Sequence, residues 1–193
     1  MMEDFIRKSF DASIAAKREV AAKQASVIAH MARVMIDALR AGRRIYIAGN
    51  GGSASDAQHI AGELVGRFTM ERKALPVIAL TADTAVLTAV ANDYGYDDVF
   101  RRQVEAHVTK GDVFLCISTS GNSPNVVKAL KQAKRIGAHV LALAGRDGGK
   151  LAKAADLCVT VPAKESGHIQ ETHITIGHIL CELIERALFK EQK

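Results

Sequence analysis

The sequence predicts an α/β protein, a three-layer αβα sandwich built around a five-stranded parallel sheet. After Gly42, short apolar runs alternate with stretches of helical periodicity, the pattern of successive βαβ units. The predicted strands are residues 45–48, 77–80, 113–117, 140–143 and 157–161. Because crossovers of this length join parallel strands, we expect helices on both faces of the sheet and ligands at the carboxyl ends of the strands.

Length and composition indicate one globular domain. The chain has 193 residues, of which 48% are hydrophobic and 24% charged, close to the globular average and unlike a disordered or fibrous chain. We expect a single domain over residues 1–193, with N-terminal helices in residues 1–41 and an α/β core with a long C-terminal helix in residues 42–193.

The positive net charge suits small anionic molecules as well as nucleic acid. The net charge is +5, but the basic residues are scattered rather than grouped with aromatics, so the sequence does not favour nucleic acid as a partner. No secretory signal or run of about 18 apolar residues is present, which predicts a soluble protein without a membrane partner. Cys116, Cys158 and Cys181 lie in apolar runs, which predicts buried reduced thiols and a cytoplasmic location.

The N-terminal segment predicts a helical hairpin ahead of the sheet. Apolar residues recur at spacings of three and four from Phe5 to Leu39, which is typical of amphipathic helices. Since no Gly or Pro precedes Gly42, we expect the break between two helices near residues 21–24. The apolar face can serve as a contact between subunits or cover the sheet of its own chain, and the sequence leaves both alternatives open.

The first strand is followed by a glycine-rich turn and a helix. Asn50, Gly51, Gly52 and Ser53 let the backbone approach a ligand closely. His59 and Glu63 are four residues apart, so on the helix that follows they lie on one face and can reach the same ion or substrate.

The third strand is followed by a loop rich in hydroxyl groups. Ser118, Thr119, Ser120 and Ser123 precede Pro124, which suits the first position of a helix. An ordinary capped turn needs fewer hydroxyls, so we interpret this loop as a phosphate site at a helix N-terminus. Neither loop has the glycine spacing of a nucleoside triphosphate or dinucleotide site.

The final segment, residues 169–189, predicts a long closing helix. Its apolar residues have helical spacing, yet several polar residues lie near or among them: Gln170, Glu171, His173 and His178. Such polar groups on a core-facing helix need partners.

These motifs together resemble the sugar isomerase (SIS) domain family. Gly-Asn-Gly-Gly-Ser at 49–53, Ser-Thr-Ser-Gly-Asn-Ser at 118–123 and Ile-Gln-Glu-Thr-His at 169–173 occur in the order the family shows and span nearly the whole chain. The resemblance is strongest to the family's isomerases of seven-carbon sugar phosphates. It implies conversion of sedoheptulose 7-phosphate to D-glycero-D-manno-heptose 7-phosphate, for lipopolysaccharide core precursors, by a homotetramer.

The resemblance also implies a set of site residues. One zinc ion per subunit would be bound by His59, Glu63, Gln170 and His178, with Glu63 and His178 also acting as the acid/base pair. The implied substrate contacts are Asn50, Gly51, Gly52, Ser53, Glu63, Asn92, Asp93, Ser118, Thr119, Ser120, Ser123 and Gln170. Gln170 and His178 are eight residues apart, roughly 80° around a regular helix, so their convergence requires side-chain reach or an irregular helix start. The sequence assigns no role to His168 or His173.

Two other functions are compatible with the family. One is a non-catalytic relative that binds the bacterial replication initiator, and the other is a domain that senses sugar phosphates. Both are expected to lack an acidic residue at position 63 and a histidine at position 178. This chain has both residues, so the sequence favours the enzyme.

Overall fold

The computed structural model describes residues 1–190, so the last three residues of the predicted core lie outside the described part of the chain. Seven α-helices are described: α1 (Met2–Arg40), α2 (Gly52–Val65), α3 (Thr84–Tyr94), α4 (Val99–His107), α5 (Pro124–Ile136), α6 (Gly149–Ala154) and α7 (Ser166–Glu185). The five strands are β1 (Ile45–Gly49), β2 (Val77–Ala79), β3 (Val113–Ser118), β4 (His139–Gly145) and β5 (Leu157–Val161). A 3₁₀ turn, Tyr96–Asp98, precedes α4, and a π-helical turn, Arg186–Lys190, follows α7.

All five strands pair in parallel, in the order β2-β1-β3-β4-β5, which confirms the predicted α/β class and sheet. From β1 the chain adds β2 on one side of the sheet, and from β3 it adds β4 and β5 on the other side. The strand order therefore reverses between β1 and β3, and the carboxyl ends of these two strands flank this switch point. Open α/β sheets bind their ligands at this place.

Alternate residues of the strands build two separate cores. In β3, Val113, Leu115 and Ile117 face the layer formed by α1, α2 and α7. Phe114 and Cys116 face the layer formed by α4, α5 and α6, with part of α3. Because β3 is covered on both faces, its six residues are all buried, which explains the continuous apolar run in the sequence.

The N-terminal segment differs from the prediction, because residues 2–40 form one continuous helix instead of a hairpin. Gln24 lies where a break was expected, and its side chain acts as a partner for the edge strand β5. Its Nε2 donates to Thr160 O at 2.6 Å, and Thr160 N donates to its Oε1 at 2.9 Å. A polar residue at this point therefore extends the pairing of an edge strand rather than ending a helix.

Helix α1 covers the core of its own chain along part of its length, and a contact between subunits through the rest of its apolar face stays a prediction. Val20, Ile28, Met31 and Met35 are buried against the core of the same chain. Further towards the N-terminus the apolar side chains are exposed, among them Phe5 at 73% and Phe10 at 67%.

Within residues 1–190, no helix combines the length and the apolar character that crossing a bilayer requires. Cys116, Cys158 and Cys181 are free thiols. Burial raises the pKa of Cys116 well above its usual value and that of Cys181 to about 12, so these two are inert core residues, as the sequence predicts. Cys158 differs from the prediction, because it lies on the edge strand β5 and is only partly buried.

Candidate active site

The two predicted ligand loops meet at the sheet's switch point. Asn50 follows β1 and Asn125 lies in the first turn of α5, and their amides form a reciprocal pair. Asn50 Nδ2 donates to Asn125 Oδ1 at 2.8 Å, and Asn125 Nδ2 donates to Asn50 Oδ1 at 2.9 Å. The Tyr96 hydroxyl also donates to Asn50 Oδ1, at 3.1 Å. The side chain of Asn50 thus connects the glycine loop to the start of α5 and to the 3₁₀ turn that contains Tyr96.

The glycines of the first loop are required by its geometry. Gly51 has φ of +55° and ψ of −122°, a conformation that L side chains rarely adopt, and it caps the start of α2. A Cβ on Gly52 would overlap the side-chain amide of Gln170 from α7. The glycine loop therefore allows α7 to bring Gln170 against the first turn of α2.

Helices α2 and α7 bring His59, Glu63 and His178 into one group. His59 Nε2 is 3.1 Å from Glu63 Oε1, and the Nε2 atoms of His59 and His178 are 3.3 Å apart. One donor atom from each residue lies within 4.8 Å of the other two. The side chain of His59 is 47% exposed and that of Glu63 is 26% exposed, so the group is open to solvent on one side.

The donor set and its spacing fit zinc. Two imidazole nitrogens and a carboxylate oxygen are common zinc ligands, at distances of about 2.0–2.2 Å. In a tetrahedral site of that size, neighbouring donor atoms are about 3.3–3.6 Å apart. The two spacings that involve His59, 3.1 and 3.3 Å, are close to this range, and the three donor atoms all lie within 4.8 Å of one another, so these residues would fit a zinc ion.

Gln170 lies at the other end of the same helix pair. Its contact with Gly52, together with the contact between Gly177 and Ile60, means that α2 and α7 run side by side in the same direction. His178 follows Gln170 by eight residues, which is about 12 Å of helix rise. The Gln170 amide therefore lies at the glycine loop, beside Gly52, one helix segment away from His178.

The hydroxyl loop is compact and connects the carboxyl end of β3 to α5. Ser118 Oγ is 2.9 Å from Ser123 Oγ and 3.5 Å from Ser120 Oγ. Ser123 occupies the N-cap position of α5, as predicted, but its hydroxyl faces Ser118 and does not cap the helix. The loop therefore presents three hydroxyls beside the positive end of the α5 dipole, a favourable place for an anion. Thr119 is half-buried in the same turn.

The pair Asn92 and Asp93 lies at the C-terminal end of α3, and both residues are exposed. Asn92 Nδ2 donates to Asp93 Oδ1 at 2.8 Å. Tyr96, which contacts Asn50, is only a few residues further along. Tyr96 thus links the segment that follows α3 to the glycine loop, although α3 has no buried residue of its own.

The remaining polar residues of α7 have structural contacts. His173 is fully buried, and its Nε2 donates to Ala144 O at 3.0 Å. Burial lowers its pKa to about 4, so the imidazole is neutral. His168 Nδ1 lies 3.4 Å from Glu171 Oε2, which also accepts from Ser13 Oγ at 2.5 Å, so these residues join α7 to α1.

Some residues at the site give no signal in the sequence. Asn125 and Tyr96 hold the loops together, and Phe68 stacks on His178 with ring centres 5.5 Å apart. Asp56 lies one turn before His59, and burial raises its pKa to about 6. Among these four residues, only Asp56 lies one helical turn from a predicted ligand, so helical periodicity could have identified it. Asn125, Tyr96 and Phe68 reach the site through contacts between residues distant in sequence.

The fold and these loops define an α/β protein whose two loops at the switch point of a parallel sheet suit a small anionic ligand. A sequence model of the SIS domain matches residues 9–145. The phosphoheptose isomerase of Aneurinibacillus thermoaerophilus is 48% identical over 193 residues, covering 99% of this chain and 98% of that protein. The chain belongs to the SIS domain family.

Solved structures agree with this assignment. A phosphoheptose isomerase from Neisseria gonorrhoeae is 42% identical with a TM-score of 0.91, over 96% of this chain and 99% of that chain. One from Francisella tularensis is 39% identical with a TM-score of 0.93, again over 96% and 99% of the two chains.

Proposed function

We propose that the chain is an aldose–ketose isomerase that converts sedoheptulose 7-phosphate to D-glycero-D-manno-heptose 7-phosphate, in the supply of lipopolysaccharide core precursors. The convergence of His59, Glu63 and His178 carries this proposal, because it places a carboxylate and two imidazoles beside the two ligand loops. The names of the relatives, which match almost the full length of the chain, support the same activity.

The reaction moves protons between neighbouring atoms of the sugar. A proton leaves C1 of the ketose and another arrives at C2 of the aldose, while O1 loses a proton and O2 gains one. Glu63 and His178 exchange these protons, since a carboxylate and an imidazole can each act as acid and base near neutral pH. One donor atom of Glu63 and one of His178 lie within 4.8 Å of each other, which lets the two groups serve adjacent atoms of an enediol.

The rest of the substrate is held along the switch point. The hydroxyls of Ser118, Ser120 and Ser123, with Thr119 and the α5 dipole, bind the phosphate. The glycine loop of Asn50, Gly51, Gly52 and Ser53, the Gln170 amide, and the pair Asn92 and Asp93 contact the sugar hydroxyls. Holding both ends of the substrate fixes its C1 and C2 beside Glu63 and His178.

His59, Glu63 and His178 would hold one zinc ion per subunit, with Gln170 as a candidate fourth ligand. Zinc bound there would polarise the substrate carbonyl and favour loss of the C1 proton. Because Gln170 contacts Gly52, we assign it first to the substrate, and its role as a ligand is a separate prediction.

The other family functions are less well supported. A replication-initiator partner or a purely sensing domain needs neither Glu63 nor His178, and the relatives described above carry the name of the enzyme. We also infer that residues 1–193 work as one domain and that the chain forms a homotetramer. The free thiols favour a cytoplasmic location, because thiols stay reduced there.

The activity is tested by adding sedoheptulose 7-phosphate to the purified protein and following the aldose by NMR. Glu63→Gln and His178→Asn should each lower kcat by roughly 10²- to 10⁴-fold, because each removes an acid/base group. Glu105→Gln, on the exposed surface of α4, is the matched control and should keep full turnover. Absence of product with the wild-type protein would exclude the proposed function, and full turnover in both site variants would exclude the proton-transfer roles.

Metal analysis of the native protein tests the zinc site separately. The wild-type chain should contain one zinc per subunit, and His59→Ala should lose it, because a bound ion would then have only two of the three converging ligands. His107→Ala, an exposed histidine at the end of α4, should retain the metal. Gln170→Ala should retain zinc if its amide serves only the substrate and lose zinc affinity if it is a fourth ligand.

A further inference from the structure

A buried ion pair connects the two helices of the proposed site at their C-terminal ends. Arg72 Nε lies 3.0 Å from Glu185 Oε1, and the two side chains are 1% and 0% exposed. Arg72 belongs to the loop after α2, which carries His59 and Glu63, and Glu185 is the last residue of α7, which carries His178.

Arg72 closes the end of α2. Its Nη2 donates to Glu63 O at 2.8 Å, and its Nη1 donates to Leu64 O at 2.8 Å and Gly66 O at 2.9 Å. The last carbonyls of a helix have no partner within the helix, and they carry the negative end of its dipole. One guanidinium therefore fixes the helix turn from which the Glu63 side chain projects.

Glu185 holds the loop that follows α2. Its Oε1 accepts from Phe68 N at 2.9 Å, and its Oε2 accepts from Thr69 N at 2.8 Å and Thr69 Oγ1 at 2.9 Å. Burial by itself raises the pKa of Glu185, but the hydrogen bonds from Phe68, Thr69 and Arg72 outweigh it, and the pKa lies below its usual value. The carboxylate is thus ionised and fully partnered.

The same loop presents an aromatic ring to the site. Phe68, whose backbone is bound by Glu185, stacks on the His178 imidazole with an interplanar angle of 25°. His178 also contacts His59 edge to face, at an interplanar angle of 70°. The orientation of His178 is therefore set by Phe68 from the loop and by His59 from α2.

We propose that Arg72 and Glu185 are positioning residues that fix α2 against α7 and, through Phe68, orient His178 towards His59 and Glu63. A buried ion pair adds little to stability compared with well-packed apolar residues of the same size, so stability alone does not account for it. Its contacts lead instead to the backbone of Glu63 and to the ring that covers His178. This inference rests on the proposed function for its catalytic consequence, and its structural part is independent of that function.

The test replaces the pair by apolar residues, in the double variant Arg72→Met/Glu185→Leu, which avoids leaving one charge buried alone. We expect zinc affinity, measured by competition with a chelator, to fall about 10- to 100-fold, as for residues that orient metal ligands. We expect kcat to fall by a similar factor with KM nearly unchanged, because the phosphate loop is untouched. Lys23→Met/Glu19→Leu, which removes an exposed ion pair on α1 with atoms 2.8 Å apart, is the control and should change neither quantity.

A third readout depends on neither metal nor turnover. In the metal-free protein, Phe68→Leu should shift the NMR signals of the His178 ring, and the double variant should reproduce that shift. A folded double variant with unchanged His178 signals and zinc affinity would overturn the proposal. If the double variant does not fold, the Phe68→Leu variant tests the proposal instead. Unaltered His178 signals and kcat in Phe68→Leu would also overturn the proposal. If the wild-type protein does not turn over sedoheptulose 7-phosphate, the proposed function is refuted but the positioning role is not, because the NMR signals of His178 test that role directly.

Discussion

At the scale of single residues, the buried His173 gives the protein a defined response to acid. Its pKa is lowered by burial from 6.5 to about 4, against a smaller opposing effect of its hydrogen bond to Ala144 O. Between about pH 6.5 and pH 4, His173 is protonated in the unfolded chain but remains neutral in the folded chain. The contribution of neutral His173 is therefore complete above pH 6.5 and is lost as the pH falls towards 4, by about 2 kcal/mol between pH 7 and pH 5.

The variant His173→Gln keeps a donor for Ala144 O and removes the titrating group. Its free energy of unfolding, measured in urea at pH 7 and pH 5, should fall by about 2 kcal/mol less than that of the wild-type protein. Asp56, whose pKa is raised to about 6, acts in the opposite direction over this range, and comparison of the two proteins cancels its effect. An equal loss of stability in both proteins would contradict the role of His173.

Individual residues also mark the limit of what the sequence predicts. His59 and Glu63 could be paired because their spacing matches a helix turn, and the structure brings them together. Arg72 and Glu185 are 113 positions apart, and no local pattern links residues at that separation. Gln170 shows a second limit, because its contact with Gly52 depends on how two distant helices pack.

At the scale of elements, strands were predictable and the form of α1 was not. A strand buried on both faces must be apolar throughout, so β3 is evident from composition alone. In α1, the sequence predicts a break near Gln24, whereas the side chain of Gln24 pairs with Thr160 on the edge strand β5. The absence of Gly and Pro was the more reliable signal, since neither residue interrupts the helix before Gly42.

The contact between α2 and α7 yields a prediction at the same scale. A Cβ on Gly177 would lie 2.7 Å from Ile60 Cδ1, which is fully buried, so Gly177→Ala should force the two helices apart. Overpacking costs about 1–3 kcal/mol, and the better helix propensity of Ala returns about 1 kcal/mol. We expect a net loss of about 1 kcal/mol in urea unfolding, together with weaker zinc binding at His178.

A matched substitution in the same helix separates packing from propensity. Gly167 lies in the first turn of α7, and a Cβ there would meet no atom within 4 Å. Gly167→Ala should therefore leave stability and zinc affinity unchanged or slightly improved. If Gly177→Ala behaved in the same way, the close approach of α2 and α7 would not depend on that glycine.

At the scale of the whole molecule, the exposed N-terminal part of α1 is an apolar surface that the chain itself does not cover. Phe5, Ile6, Phe10 and Ile14 are 43–73% exposed, and with Lys17 and Glu171 they line a groove of about 410 Å³. Apolar side chains concentrated on one helical face are typical of a contact between subunits. This face is continuous with the part of α1 that packs on α7, so association through it would involve the helix that carries Gln170 and His178.

We therefore expect the wild-type protein to have four times the mass of one chain by light scattering, and Phe5→Ser/Phe10→Ser to form smaller species. The double variant should remain folded, because neither side chain is buried in the chain itself. Lys8→Ser, which removes a residue that pairs with Asp4 on the same helix, is the control and should leave the mass unchanged. A wild-type monomer, or a double variant that keeps the full wild-type mass, would show that this face does not assemble the molecule, and the exposed apolar residues would then need another partner.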